Sequence, residues 1–143
     1  MSTTLPLAAD VTEFIANLRG KLVECFETVF PADLECACAV SSYTLYRALR
    51  ARGISASFVQ GFFEHESEDH CWVRINEHIV DITACQFSRQ FPAVFITTVD
   101  DSRYSPCRAD REALRDINTN WPTEQTPRNH RHRIARVLKT LSP

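Results

Sequence analysis

Val11, Phe14, Ile15, Leu18, Leu22, Cys25, Phe26 and Val29 recur at steps of three and four, the stripe of one amphipathic helix over residues 10–29. Asp10, three residues before Glu13, has the chemistry of an N-cap with a capping-box partner, and Pro31 stops the helix. Cys25 falls on the stripe and reads as an inert core thiol. A second helical pattern covers 37–52 and ends at Gly53, a residue suited to the left-handed position after a helix. The pattern then changes period. ISASFVQGFF (54–63) is rich in β-branched and aromatic residues and predicts a strand. After the charged loop 64–69, HCWVRI (70–75) and HIVDIT (78–83) predict two strands around Asn76-Glu77, and AVFITTV (93–99) predicts another. Residues 109–117 and 131–141 predict short helices, separated by an irregular stretch containing Trp121-Pro122 and Pro127. Helices first, then strands, then helices predict an α+β fold: N-terminal helices packed on an antiparallel sheet.

The pair of strands around Asn76-Glu77 carries chemistry if its register is tight. A two-residue turn pairs Ile75 with His78, Arg74 with Ile79, Val73 with Val80 and Trp72 with Asp81. One face then holds Cys71, Val73, Ile75, His78, Val80 and Ile82, mostly apolar and suited to the core. The other holds His70, Trp72, Arg74, Ile79, Asp81 and Thr83, with His70 and Asp81 as diagonal neighbours within reach of a side-chain hydrogen bond. A turn one residue longer would send them to opposite faces. A carboxylate that accepts from one imidazole nitrogen fixes the tautomer and leaves the other nitrogen for a nucleophile.

Cys36 and Cys38 precede the second helix. A thiol at a helix start meets unpaired backbone N–H groups and the positive end of the helix dipole, which favour the reactive thiolate. The same N–H groups can stabilise the oxyanion formed when a thiolate attacks a carbonyl. Two small buried residues beside Ala37 and Ala39 are the plain alternative.

Longer stretches add to this. CAVSSYTLYRALRARGISASFVQG (38–61) resembles the nucleophile segment of transglutaminase-like bacterial proteins and the spacing of lasso-peptide leader peptidases: Cys opens a helix, Ser and Leu follow on one face, and Gly-Ile-x-Ala leads into a strand ending in Gly. HCWVRINEHIVDITACQF (70–87) is similar to the His-x-Trp-Val … Asp-x-Thr segment of the same papain/transglutaminase-like superfamily, and its Asp-Ile-Thr-Ala-x-Gln-Phe ending resembles papain-fold deamidase toxins and effectors. The resemblance spans about residues 36–90. It implies a Cys helix packed on a sheet carrying His and Asp, with Cys38 as nucleophile, His70 as base and Asp81 as the residue orienting the base. It implies a thiol hydrolase acting on a carboxamide or peptide bond of a protein or peptide substrate, as a glutamine deamidase or peptidase, or else acyl transfer to an amine. No cofactor is implied. The Cys38 N–H would be one oxyanion donor and Gln60 a candidate for a second. Trp72 would shield the thiolate–imidazolium pair or simply pack. Cys36, with Cys38 close by, would protect or regulate that nucleophile by oxidation.

The remaining features set limits. At 143 residues and 44% apolar, the chain suits one domain, 1–143, with a single core. Net charge is −2, so there is no global case for nucleic acid, but the balance is uneven. Residues 128–143 hold Arg128, Arg131, Arg133, Arg136 and Lys139 without an acid, whereas the rest carries eleven Lys/Arg against eighteen Asp/Glu. This basic helical tail, 120–143, suits an acidic partner, but a solvated helix face lying against the acidic body is the favoured reading. No leader peptide or membrane-length apolar run is seen in the sequence. The expectation is therefore six reduced cysteines in a cytoplasmic protein, or in one delivered to a host cell without a conventional signal peptide. Cys36, Cys38, His65, His70 and Cys71 supply zinc donors, but their spacing is not a standard zinc pattern and strand alternation separates His70 from Cys71, so no metal is expected. A catalytically inactive protein-binding domain is the third reading, disfavoured by the presence of all three site residues.

Overall fold

Backbone pairing builds the frame on which everything else is hung. In the computed structural model, which describes residues 6–26, 37–64, 69–88 and 90–141, β1 (Ser57–Phe63), β2 (His70–Ile75) and β3 (His78–Asp81) run antiparallel in sequence order. β4 (Phe95–Thr98) extends the sheet beyond β3, and β5 (Tyr104–Ala109) returns to pair with β1, giving the order β4-β3-β2-β1-β5. The β2–β3 register is Val73 with Val80, Arg74 with Ile79 and Ile75 with His78, the tight two-residue register. Asn76 makes the turn at φ 53°, a left-handed conformation that Asn tolerates better than other residues with a side chain. That is why the turn closes without glycine.

α1 (Ala9–Phe26), α2 (Cys38–Ala51) and α4 (Arg131–Thr140) cover one face of the sheet. Ile15, Leu18 and Leu22 of α1 and Leu45 and Leu49 of α2 meet Val73, Val80 and Ile82 in the main core, where all are fully buried. Each such side chain contributes about 1.5–3 kcal/mol by leaving water. α2 ends before Gly53, which stands at φ 80°, the left-handed position expected of it. α1 begins one residue earlier than expected, with Ala8 accepting the first backbone hydrogen bonds, so Asp10 lies in the first turn instead of capping it. Its negative charge still suits the helix N-terminus. Pro31, Val29, Cys36, His65 and the acidic residues 66 and 68 lie outside the described residues, so the expectations placed on them have no structural counterpart here.

The end of the chain differs from the expected tail. Ile134 and Val137 of α4 are buried in the main core, so this basic helix packs by an apolar stripe. α3 (Asp110–Asn120) adds Ala113 and Ile117 to a second cluster with Cys38, Phe58 and Cys71. The opposite face of the sheet buries Val59, Phe63, Trp72, Ile79 and Tyr104 beneath Phe87, Phe91 and Phe95.

β5 is absent from the sequence expectation. Its residues after Tyr104 are exposed and it contains Pro106, so neither alternation nor β-propensity marks it; Pro is tolerated because the strand is an edge. Its approach to β1 is close at Gly61. A Cβ there would stand 2.1 Å from the Ser105 carbonyl oxygen and 2.8 Å from both Pro106 Cα and Trp72 Cη2. Gly61→Ala is therefore expected to cost about 3 kcal/mol or more, read as a lower denaturation midpoint; an unchanged midpoint would show that β5 yields freely.

Candidate active site

Cys38 is the first residue of α2, and the residue before it is Ala37, which has no side chain able to cap the helix. The first-turn N–H groups are thus not consumed by a capping oxygen, in keeping with an anionic sulfur placed among them. One turn on, the Ser42 hydroxyl donates to the Cys71 carbonyl at 3.2 Å. This buried bond ties the start of α2 to the start of β2, where His70 and Cys71 sit side by side. Cys38 is 6% exposed, and His70 and Asp81 are wholly buried.

His70 Nε2 lies 2.7 Å from Asp81 Oδ2. The Asp81 carboxylate collects further donors: the Tyr104 hydroxyl at 2.9 Å on the same Oδ2, and the Thr83 N–H at 2.9 Å and hydroxyl at 3.4 Å on Oδ1. An acceptor-only carboxylate buried without such partners would be costly. Burial by itself disfavours a charged His70, but the Asp81 carboxylate outweighs it, and with the Cys38 sulfur raises the imidazole pKa to about 10. The Cys38 thiol is pulled down to about 5, chiefly by a hydrogen bond from the Cys71 side chain, against the opposing effect of burial, and further by His70. Cys71 moves the other way: burial and the neighbouring Cys38 push its thiol well above the usual range. The two thiols are thus shifted in opposite directions, which favours negative charge on Cys38, the one at the helix start. The two shifts together favour a thiolate–imidazolium pair, with the Asp81 carboxylate behind it.

The structure brings Cys38, His70 and Asp81 together as the sequence suggests, but gives Gln60 and Trp72 other surroundings. Gln60 is fully buried. Its Nε2 bonds Asp69 Oδ2 at 2.6 Å and Asp116 Oδ2 at 2.7 Å, which occupies both amide hydrogens. What remains is Oε1, an acceptor without a hydrogen-bond partner, and an acceptor cannot stabilise an oxyanion. The expected donor role does not fit this geometry. Trp72, 2% exposed, stands 5.9 Å from the His70 ring and packs edge-on against Tyr104 at 5.0 Å. It packs between the imidazole and Tyr104. A cavity of about 510 Å³ on that side touches Trp72 and Tyr104 but neither Cys38 nor His70, so it is not the reaction cleft. Of the five residues weighed for zinc, Cys36 and His65 are undescribed. Among the described residues no cluster of three or more His, Cys, Asp or Glu is poised to hold a metal.

Three residues at the site escaped the sequence reading. Tyr104 comes from the unforeseen β5. Gln86 lies in the short helical turn Ala84–Gln86, with Nε2 3.2 Å from His70 Nδ1. Arg19 of α1 is buried and donates to the Ile82 carbonyl at 2.8 Å and to Cys85 Sγ at 3.3 Å, holding that turn from below. Only Gln86 left a trace, in the Asp-Ile-Thr-Ala-x-Gln-Phe segment; an arginine on an apolar helix stripe gives no hint of which carbonyl it will meet.

Residues 9–91 match the family model described as the Transglutaminase-like superfamily. The chain belongs to this superfamily. The match covers more than half of the chain and takes in Cys38, His70 and Asp81. It supports a cysteine-enzyme family of papain-like fold in general. No curated protein and no solved structure matches the chain. Among the described residues no helix is long and apolar enough to cross a membrane.

The opposed shifts of the two thiols give a test. Alkylation of Cys38 by iodoacetamide is expected to rise through a limb near pH 5 and run ahead of the other cysteines at neutral pH. Below that limb the sulfur holds its proton, and above it the thiolate is present. Cys71→Ala removes the largest force lowering the Cys38 pKa and should move the limb up by roughly one unit or more. A limb that stays put in Cys71→Ala would remove Cys71 as the donor.

Proposed function

We propose that this protein is a thiol hydrolase that opens a carboxamide or peptide bond of a protein or peptide substrate, most simply as a glutamine deamidase or a peptidase. The observation that carries the reading is the 2.7 Å His70–Asp81 contact beside a thiol at a helix start whose surroundings lower its pKa. Asp81 holds the ring through Nε2, so Nδ1 is the nitrogen left for Cys38. The thiolate attacks the carbonyl carbon, forming a C–S bond while the carbonyl electron pair moves to oxygen. The N–H groups at the start of α2 face the developing charge. As the tetrahedral species collapses, His70 gives the Nδ1 proton to the leaving nitrogen, releasing ammonia from a carboxamide or an amine from a peptide bond. A thioester remains. Water, deprotonated by the now neutral His70, attacks it and yields the acid and the free thiol. An amine in place of water gives acyl transfer, the chemistry for which the superfamily is named.

The partner expectation for the basic helix enters here as part of the proposal. Among the described residues, Arg128, Arg131, Arg133, Arg136 and Lys139 form no ion pair. An acidic segment of a protein substrate fits that face, while the modest overall charge still argues against nucleic acid. In this reading the enzyme needs no cofactor and works in the cytoplasm or in a host cell to which it is delivered.

Incubation of the protein with candidate proteins or a peptide library, followed by mass spectrometry, separates the chemistries. A glutamine gaining about 1 Da marks deamidation and a new terminus marks proteolysis, both expected from attack on an amide carbonyl; a cross-link marks transfer. Cys38→Ala should fold normally, since truncating one small side chain at a helix start removes little, and should abolish the product. Product persisting in a folded Cys38→Ala protein would overturn the proposal.

A further inference from the structure

Gln60 cannot supply the second oxyanion donor, yet a carboxamide does stand at the reacting nitrogen. Gln86 Nε2 is 3.2 Å from His70 Nδ1, and Nε2 of the ring is committed to Asp81 at 2.7 Å. Nδ1 is therefore the atom that exchanges its proton with Cys38, and the Gln86 amide lies against it. We infer that Gln86 is a catalytic residue, the side-chain donor that stabilises the oxyanion when Cys38 attacks a carbonyl; the inference rests on the cysteine-hydrolase reading above.

The argument is one of donor and acceptor counting. A neutral ring offers Nδ1 as an acceptor, and the Gln86 N–H has a partner. Once the sulfur has surrendered its proton, both ring nitrogens carry hydrogen, and Nδ1–H points to the thiolate. A donor facing a donor gains nothing, so in that form the Gln86 N–H can turn to another acceptor beside His70 Nδ1. The position of both Cys38 and His70 pKa values makes that ion pair the form present at neutral pH. A carbonyl oxygen arriving over the sulfur is then the natural acceptor, and the bond strengthens as charge builds on it. The donor is held where it must be. The backbone of Gln86 bonds the Thr83 carbonyl at 3.1 Å, and buried Arg19 grips Ile82 and Cys85 in the same turn. Thr83, in turn, bonds Asp81, so the turn that presents Gln86 is tied to the carboxylate that orients His70. Gln86 is only partly buried, unlike Gln60, and so remains open to a substrate. The charged and titratable groups bearing on His70 here are Asp81 from β3 and Cys38 from α2; Gln86 adds no charge to that set.

Two small reagents separate this role from a structural one. p-Nitrophenyl acetate acylates a thiolate through a tetrahedral oxyanion: the C–S bond forms, charge gathers on oxygen, and collapse expels p-nitrophenolate with its electron pair. Iodoacetamide alkylates the same sulfur by displacing iodide, with no oxyanion. At pH 7, Gln86→Ala and Gln86→Met are expected to acylate Cys38 slower by roughly tenfold or more, while alkylation stays within about twofold of the unaltered protein. Unchanged acylation would overturn the inference. So would an equal fall in both rates, since that would mean Gln86 acts on the thiolate and not on the oxyanion. If the unaltered protein reacts with neither reagent at Cys38, the hydrolase reading fails as well, an outcome distinct from either of these.

Discussion

The contact between His70 Nε2 and Asp81 Oδ2, 2.7 Å long and sealed from solvent, is the constraint the rest of the molecule serves. A carboxylate in such a place is tolerable only when its lone pairs are filled. Tyr104 and Thr83 fill those that His70 leaves. The carboxylate in turn makes it possible for an imidazole without solvent access to hold a proton, and that positive charge helps Cys38 lose its own. Carboxylate, ring and sulfur are thus linked in series, each charge offsetting the desolvation of the next.

The contact depends on strand register. His70 and Asp81 share a face because Asn76-Glu77 closes β2 and β3 with Val73 opposite Val80. A slip of one residue would bury the polar face of β3 against α1 and α2 and turn Val80 and Ile82 outward. The apolar core and the polar site therefore select the same alignment, and the hydrophobic burial that stabilises the sheet also places the acid beside the base. This coupling is why alternation, once a two-residue turn at Asn76-Glu77 is assumed, anticipates the register and the shared face of His70 and Asp81. The α2 boundary was legible for a similar reason: Cys38, Ser42, Leu45 and Leu49 form one buried stripe, and Gly53 ends it.

What the sequence concealed was held by contacts between distant segments that no local pattern records. β5 pairs with β1 by backbone hydrogen bonds and exposes nearly all its side chains, so YSPCRA reads as a loop. Its one buried residue, Tyr104, is the one that reaches Asp81. Gln60 stood as a candidate oxyanion donor, but it is buried and its orientation is decided by Asp69 and Asp116, nine and fifty-six residues away. Two carboxylates around one amide nitrogen leave no doubt which end of the amide faces them, and that turns a candidate donor into an acceptor.

The family match ends at residue 91, after the elements that carry Cys38, His70, Asp81 and Gln86 and before β4, β5 and α3. The later elements carry none of these four residues; they bond to them and pack around them. β5 delivers the Tyr104 hydroxyl to Asp81 Oδ2, and α3 packs Ala113 and Ile117 around Cys38 and Cys71 while Asp116 fixes Gln60. Enclosure is what gives these charges their reach, because in a low-dielectric setting a hydrogen bond from Cys71 and a neighbouring imidazolium move a thiol far more than they would in water. Cys38, His70, Asp81 and Gln86 all lie in the segment shared with the superfamily. The surroundings that lower the Cys38 pKa and raise that of Cys71 are completed by the part of the chain that follows it.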